Sequence, residues 1–393
     1  MSASEIVDGP HVNSPGFALD KPYTSFIKGL ELSELFYKEA VRPILVRHFP
    51  GLVYSAALFG SGSEVLGFDT PQSVDHDWGP RLMLFLSEVD FQITRAKVDS
   101  TLCRELPQEI HGYPIDLAYA QRGGTLGGKA VGDAVHHSVT FHTVRSYFMK
   151  IMNKEQGVPL DPEKELRLVD WLTIPEQILR SVTAGSVFYD GLGQLESIRE
   201  KLKYYPKDIW LYLLATQWRR ISQEEAFMGR CGQVGDELGS RLVAGRLIRD
   251  LMKLCFLIER QYAPYIKWLG TAFQQLKCAS DLTPVFMLAL DAVTWQEREK
   301  QLSTAYEYVA GLHNRLGITE ILPTKVSSFY DRPFKIIHAE RFTEAIAQAI
   351  RATITDSEIR ALPEYLGAID QFIDSTDVLD DPAQYGKQKI MYL

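Results

Sequence analysis

The chain predicts an α+β fold: a small mixed sheet with helices in its first third, then a mainly helical region. Up to about residue 120 the hydrophobic patterning reads helix, strand, strand, helix, strand. Beyond about Ala130 the strand signal fades and apolar residues recur at helical spacing. The 393 residues, 46% hydrophobic, suffice for two or three domains with sizeable cores. The expected organisation is an arm over residues 1–25, a mixed unit over 26–135 and a mainly helical region over 136–393.

The elements follow in order. Gly9, Pro10, Pro15 and Pro22 make the first residues an extended arm. Leu32 to His48 has helical apolar spacing, with Ser33 and Glu34 near its start. Leu52 to Phe59 reads as a strand, Gly60 to Pro80 as a glycine- and proline-bearing loop, and Arg81 to Leu86 as a second strand. Ser87 and Glu88 open a capped helix that runs to about Leu106 and stops before Pro107. Ile110 to Ala120 reads as the third strand. Further helices are expected over 209–227, 242–262, 282–312 (one or two) and 341–354. The segment Asp374 to Asp381 is acidic and reads as solvated or interaction surface.

Composition narrows the function. A net charge of −8 and a pI near 5.7 argue against a protein that holds nucleic acid by bulk charge, although a local basic patch stays open. Cys103, Cys231, Cys255 and Cys278 are widely spaced and form no Cys-x-x-Cys, which points to a reducing compartment rather than a disulfide scaffold or zinc ribbon. The N-terminus has no basic-then-apolar signal segment. No apolar stretch reaches the roughly 18 residues that a membrane span needs. A cytoplasmic protein without membrane attachment is the expectation.

The chemistry concentrates around Gly60-Ser61 and Asp75-His76-Asp77. On a strand, residues i and i+2 face the same side, so Asp75 and Asp77 can aim at one point. Carboxylates that close repel one another unless a cation lies between them. Oxygen ligands of this kind suit Mg²⁺, with Mn²⁺ as its substitute. The small-residue turn upstream leaves room for phosphates to approach the backbone. Asp116 lies in the apolar run Tyr113 to Tyr119, where a charge costs several kcal/mol unless it is paired or ligates a metal. An Asp-x-Asp pair by itself is common, and a lone Asp in an apolar run is more often a strand-end or cap residue. The ordered set of apolar strand, Gly-Ser, Asp-x-Asp, apolar strand, helix and apolar-Asp-apolar strand is far more specific.

That set resembles the DNA polymerase beta-like nucleotidyltransferase superfamily over roughly residues 30–120. The run from Gly60 through Asp69 and from Ser73 through Arg81 is similar to an uncharacterised family known only as a domain of unknown function within that superfamily. Residues 235–240, 262–268, 331–334 and 370–372 resemble it as well. The resemblance implies a catalytic nucleotidyltransferase-like core followed by a helical domain. It implies that Asp75, Asp77 and Asp116 hold Mg²⁺ and do the catalysis. Gly60, Ser61 and Ser63 would receive the phosphates of a nucleoside triphosphate, ATP first among them. Asp116 would orient or deprotonate a hydroxyl that attacks the α-phosphorus, with pyrophosphate leaving. Many small-molecule members carry an arginine soon after Gly-Ser. Here Glu64 occupies that neighbourhood and Arg81 is the first arginine, so Arg81 joins the nucleotide-binding set. The leading acceptor is a small-molecule hydroxyl. The alternatives are transfer to a protein or a tRNA end, and a nucleotide sensor without turnover.

Arg246, Arg249, Lys253 and Arg260 share one face of the expected 242–262 helix, which is otherwise too apolar for a surface helix. Arg249 and Lys253 are therefore candidates for the triphosphate, with a structural ion network as the competing reading. Gly123 to Ala130 nearly matches a phosphate-binding loop, but Ala130 replaces the hydroxyl that ligates Mg²⁺. His136, His137 and His142 lack a good zinc spacing and have no cysteine partners nearby, so they read as surface or core histidines rather than ligands.

Overall fold

The computed structural model describes residues 26–72, 78–116, 136–152, 166–363, 366–381 and 386–392. The fold is α+β and divides into two compact units. One comprises Met1–Thr143 with Ala184–Leu195; the other comprises Val144–Thr183 with Glu196–Leu393.

The first unit begins with α1 (Gly29–Leu35), which runs through a widened π turn at Phe36–Val41 into α2 (Arg42–His48). Pro43 explains the irregularity: it has no N–H for the helical ladder and its ring crowds the preceding turn. Strand β1 (Tyr54–Leu58) pairs antiparallel with β2 (Arg81–Leu86), placing Tyr54 opposite Leu86 and Ala57 opposite Met83. The helix expected over 88–106 is broken at Thr94 into α3 (Glu88–Ile93) and α4 (Arg95–Glu105). Ser87 caps α3, accepting the Asp90 N–H at 3.0 Å.

The expected third strand takes another form. Within its described residues, β3 (Glu109–Ile110) and β4 (Tyr113–Pro114) make a tight hairpin of their own. His111 and Gly112 both adopt positive φ, at 50° and 84°, which reverses the chain in two residues. The four-stranded sheet is completed instead by β5 (Ser138–His142), parallel to β2, and β6 (Ser186–Asp190), antiparallel to β1, in the order β5-β2-β1-β6. Both lie beyond the point where the strand signal fades. They are edge strands whose side chains are mostly half-buried, so their apolar alternation is weak. Tyr54, Ala56, Leu82, Leu84 and Leu86 pack against Leu32, Phe36, Val98, Leu102, Tyr113 and Ile115 in a single core.

The second unit is mainly helical. Its helices include α5 (Glu176–Thr183), α6 (Lys207–Glu224), α7 (Glu237–Ile258), α8 (Trp295–Arg315), α9 (Glu340–Thr353) and the single turn α10 (Ile369–Phe372). Trp218 of α6 stacks on Phe342 of α9 at 4.2 Å between ring centroids, and its indole N–H faces His313 Nδ1 of α8 at 3.3 Å. Asp236 caps α7 through the Gly239 N–H at 2.7 Å. Among the described residues no helix is long and apolar enough to cross a membrane.

Candidate functional site

The antiparallel pairing of β1 and β2 puts the end of β1, and the Gly60-Ser61 turn that follows it, beside the start of β2. Gly60 and Gly62 have φ of 96° and 133°, a region where only glycine is unstrained. A Cβ at Gly62 would lie 2.6 Å from the Glu64 carboxylate and 2.7 Å from Arg81 Nη2, so a larger residue cannot enter without displacing that pair. Arg81, the first residue of β2, donates to the Ser61 carbonyl at 3.0 Å and forms an ion pair with Glu64. The Glu64 side chain is 3% exposed and that of Arg81 20%. Ser61 and Ser63 are exposed to half-buried.

Asp69 is a further buried carboxylate that motif reading gave no role. It accepts the Gly29 N–H at 2.7 Å and the Trp78 indole N–H at 3.1 Å, and its Oδ1 lies 3.4 Å from Lys28 Nζ. These contacts tie the 60–72 loop to the start of α1. The signal available in sequence was the setting Gly67-Phe68-Asp69, a carboxylate beside a residue that belongs in a core.

Asp116 follows β4 and is buried, at 8% exposure. Its neighbour Ile115 is in the sheet's core, and the Ile115 N–H donates to the Gln108 carbonyl at 3.0 Å. Tyr113 packs edge-on to Trp78 at 5.5 Å, placing the hairpin against the chain that enters β2. Asp75 and Asp77 lie outside the described residues, as does the glycine loop 123–130.

The basic stripe of α7 is engaged inside the helical unit. Arg246 pairs with Glu224 at 2.6 Å. Arg249 makes a two-pronged contact with Asp374, Nη1 to Oδ2 at 2.8 Å and Nη2 to Oδ1 at 2.5 Å. Lys253 donates to the Asp370 carbonyl at 2.7 Å, and Arg260 lies 4.0 Å from the Trp210 ring centre. Arg249 and Lys253 are thus both engaged with groups of the helical unit itself. Asp374, read in sequence as part of a solvated acidic tail, is one of the partners.

Around Lys253 lies a buried carboxylate centre that sequence reading missed. Asp370 of α10 accepts the Glu176 N–H at 2.9 Å, and Glu176, Tyr205, Gln217, Lys253, Asp370 and Gln371 line one small cavity. Burial, and then the charge of Asp370, pushes the Glu176 carboxyl up to about 8. Burial likewise raises Asp370 and lowers Lys253. Among the described residues Glu176 Oε1 and the Tyr205 hydroxyl have no hydrogen-bond partner. These groups come from four separate segments, so no local motif announces them.

Comparison with known proteins adds one match. A family profile described as "Domain of unknown function (DUF4037)" matches residues 171–269. That stretch holds α5, β6, α6 and all of α7, and it excludes the Gly60–Asp116 segment that carries the nucleotidyltransferase resemblance. No curated protein and no solved structure matches the chain.

Proposed function

We propose that the protein is a Mg²⁺-dependent nucleotidyltransferase that moves a nucleoside monophosphate from a triphosphate, ATP first, to a hydroxyl of a small molecule. One observation supports this reading above the others. The Arg81 contact to Ser61 and Glu64 joins the Gly-Ser turn to the start of β2, and Asp77 precedes Arg81 by only four positions in sequence. The phosphate-receiving turn is thus fixed to the start of β2, the strand that follows the Asp-x-Asp segment in sequence. Asp116, buried beside the core that carries β2, supplies a third carboxylate.

The donor set of Asp75, Asp77 and Asp116 is all oxygen, which suits Mg²⁺. When bound, Mg²⁺ would neutralise phosphate charge. Gly60 and Ser61 would offer N–H and hydroxyl donors to the phosphates. Arg81 has one guanidinium nitrogen committed to Ser61 and Glu64, so its first task is to hold the turn. Asp116 would orient the acceptor hydroxyl and take its proton. The acidic balance of the chain favours a polar or cationic acceptor over a polynucleotide.

The test is incubation of the protein and Mg²⁺ with α-labelled ATP and a cell extract, following both pyrophosphate and the fraction that gains label. Label in the small-molecule fraction, lost in Asp75→Asn, Asp77→Asn and Asp116→Asn, is the expected result. Label in protein or RNA would redirect the acceptor assignment. No pyrophosphate with any extract or nucleotide would overturn the enzyme reading.

A further inference from the structure

Outside the carboxylate set, the fold assembles a second group of metal-binding side chains. Asp99 and Cys103 lie four residues apart on α4 and so share one helix face. His137 sits one residue before β5. A ligand atom from each of the three lies within 4.8 Å of the other two. His137 Nε2 is 3.5 Å from Asp99 Oδ1. The His137 side chain is 3% exposed and that of Asp99 47%, so the group is anchored inside and open to solvent on one side.

We propose that Asp99, Cys103 and His137 form a divalent metal site of the zinc class, with a water in the fourth position, that clasps α4 to the edge strand β5. The donors are one carboxylate oxygen, one sulfur and one imidazole nitrogen, the mixture that zinc accepts and that Mg²⁺ avoids. Bonds of about 2.0–2.3 Å in a tetrahedron put neighbouring ligand atoms about 3.3–3.8 Å apart. The His–Asp separation already falls in that range, and no two of the three ligand atoms are more than 4.8 Å apart. The fold brings His137 and Cys103 together across 34 positions of sequence, which is why histidine spacing alone concealed them. Two local contacts must yield. His137 Nε2 lies 3.5 Å from the Asp99 carbonyl oxygen, a hydrogen bond that metal on Nε2 would replace. The Val139 N–H points at His137 Nδ1 at 3.3 Å, whereas metal on Nε2 places the ring proton on Nδ1. The site also lies on a different chain segment from the Gly60–Asp77 turn, so it stands independently of the proposed nucleotidyl transfer.

The experiment is titration of the full chain with Co²⁺ alone, then displacement by Zn²⁺. Wild type is expected to take up about one Co²⁺ with a thiolate-to-cobalt charge-transfer band and the strong d–d bands of a four-coordinate site. Cys103→Ser should lose the charge-transfer band. Asp99→Asn and His137→Gln should weaken binding at least tenfold. Asp75→Asn/Asp77→Asn should leave the band intact. A wild-type protein with no such band, or a band that persists in Cys103→Ser, overturns the site. A second readout needs no variant. Zn²⁺ should slow alkylation of Cys103, followed peptide by peptide, by at least tenfold, and an unchanged rate would equally overturn the proposal.

Discussion

Arg81 and Glu64 form an ion pair that closes the Gly60-Ser61 turn onto the first residue of β2. A turn built on glycines is conformationally loose by itself, and this pair, with the Ser61 carbonyl as third member, gives it one geometry. The acidic and basic partners lie 17 residues apart in sequence.

The first prediction follows from that pair. Glu64→Gln leaves the Arg81 guanidinium largely buried without its counter-charge and should cost about 2–4 kcal/mol in denaturant unfolding. The double change Glu64→Gln/Arg81→Met should recover at least half of that loss, because the unpaired charge is gone. Additive losses in the double mutant would show that the two side chains do not act as a unit.

Arg249 and Lys253 provide the second. Arg249→Gln breaks a contact to Asp374, whose side chain is 74% exposed, and should cost no more than about 1 kcal/mol. Lys253→Met removes the cation beside Asp370 and Glu176 and should lower the melting temperature markedly more. ATP affinity should stay within about twofold in both, read by titration calorimetry. A tenfold weaker Kd with unchanged melting would return these residues to the nucleotide.

The third concerns pH. The ordinary value for a glutamate is 4.5, and Glu176 sits at about 8. Its folded-state value is raised, so the folded chain binds the extra proton across that window. The stability this contributes is fully present below about 4.5 and is lost as pH rises through about 8. Asp370, also raised by burial, acts with the same sign, and Lys253, lowered by burial, with the opposite one. Wild type should therefore lose stability relative to Glu176→Gln as pH climbs from about 5 to about 8, by at most about 1.4 kcal/mol per unit. Parallel melting curves for the two proteins across that range would rule out the raised carboxyl.

The fourth tests metal linkage at the proposed active site. Mg²⁺ together with ATP should raise the melting temperature by more than the two effects taken separately, because phosphate oxygens complete the metal's shell. Asp75→Asn/Asp77→Asn should abolish that synergy. Retained synergy in the double variant would place nucleotide binding elsewhere, with the 123–129 loop the first segment to examine.

The sequence by itself determined the α+β class, the positions of β1 and β2, the glycine turn between them and the run of helices that follows. Those features are local: alternation, helical spacing, caps and glycines act over a few residues. It also indicated the carboxylates of the proposed chemistry, since the Gly-Ser and Asp-x-Asp spacings are themselves local. Tertiary structure alone decided the rest. Ser138–His142 and Ser186–Asp190 become strands because β2 and β1 offer them unpaired edges, a cause absent from their own patterns. Ile110 to Pro114 folds back on itself because His111 accepts a positive φ beside Gly112, where alternation alone suggested one strand. Arg249 and Lys253 of α7 acquire their partners from α10 and the residues after it, more than 100 positions away, and Cys103 meets His137 only once β5 lies beside β2. Charge pairing and ligand convergence depend on distance in space, and no periodicity along the chain encodes that distance.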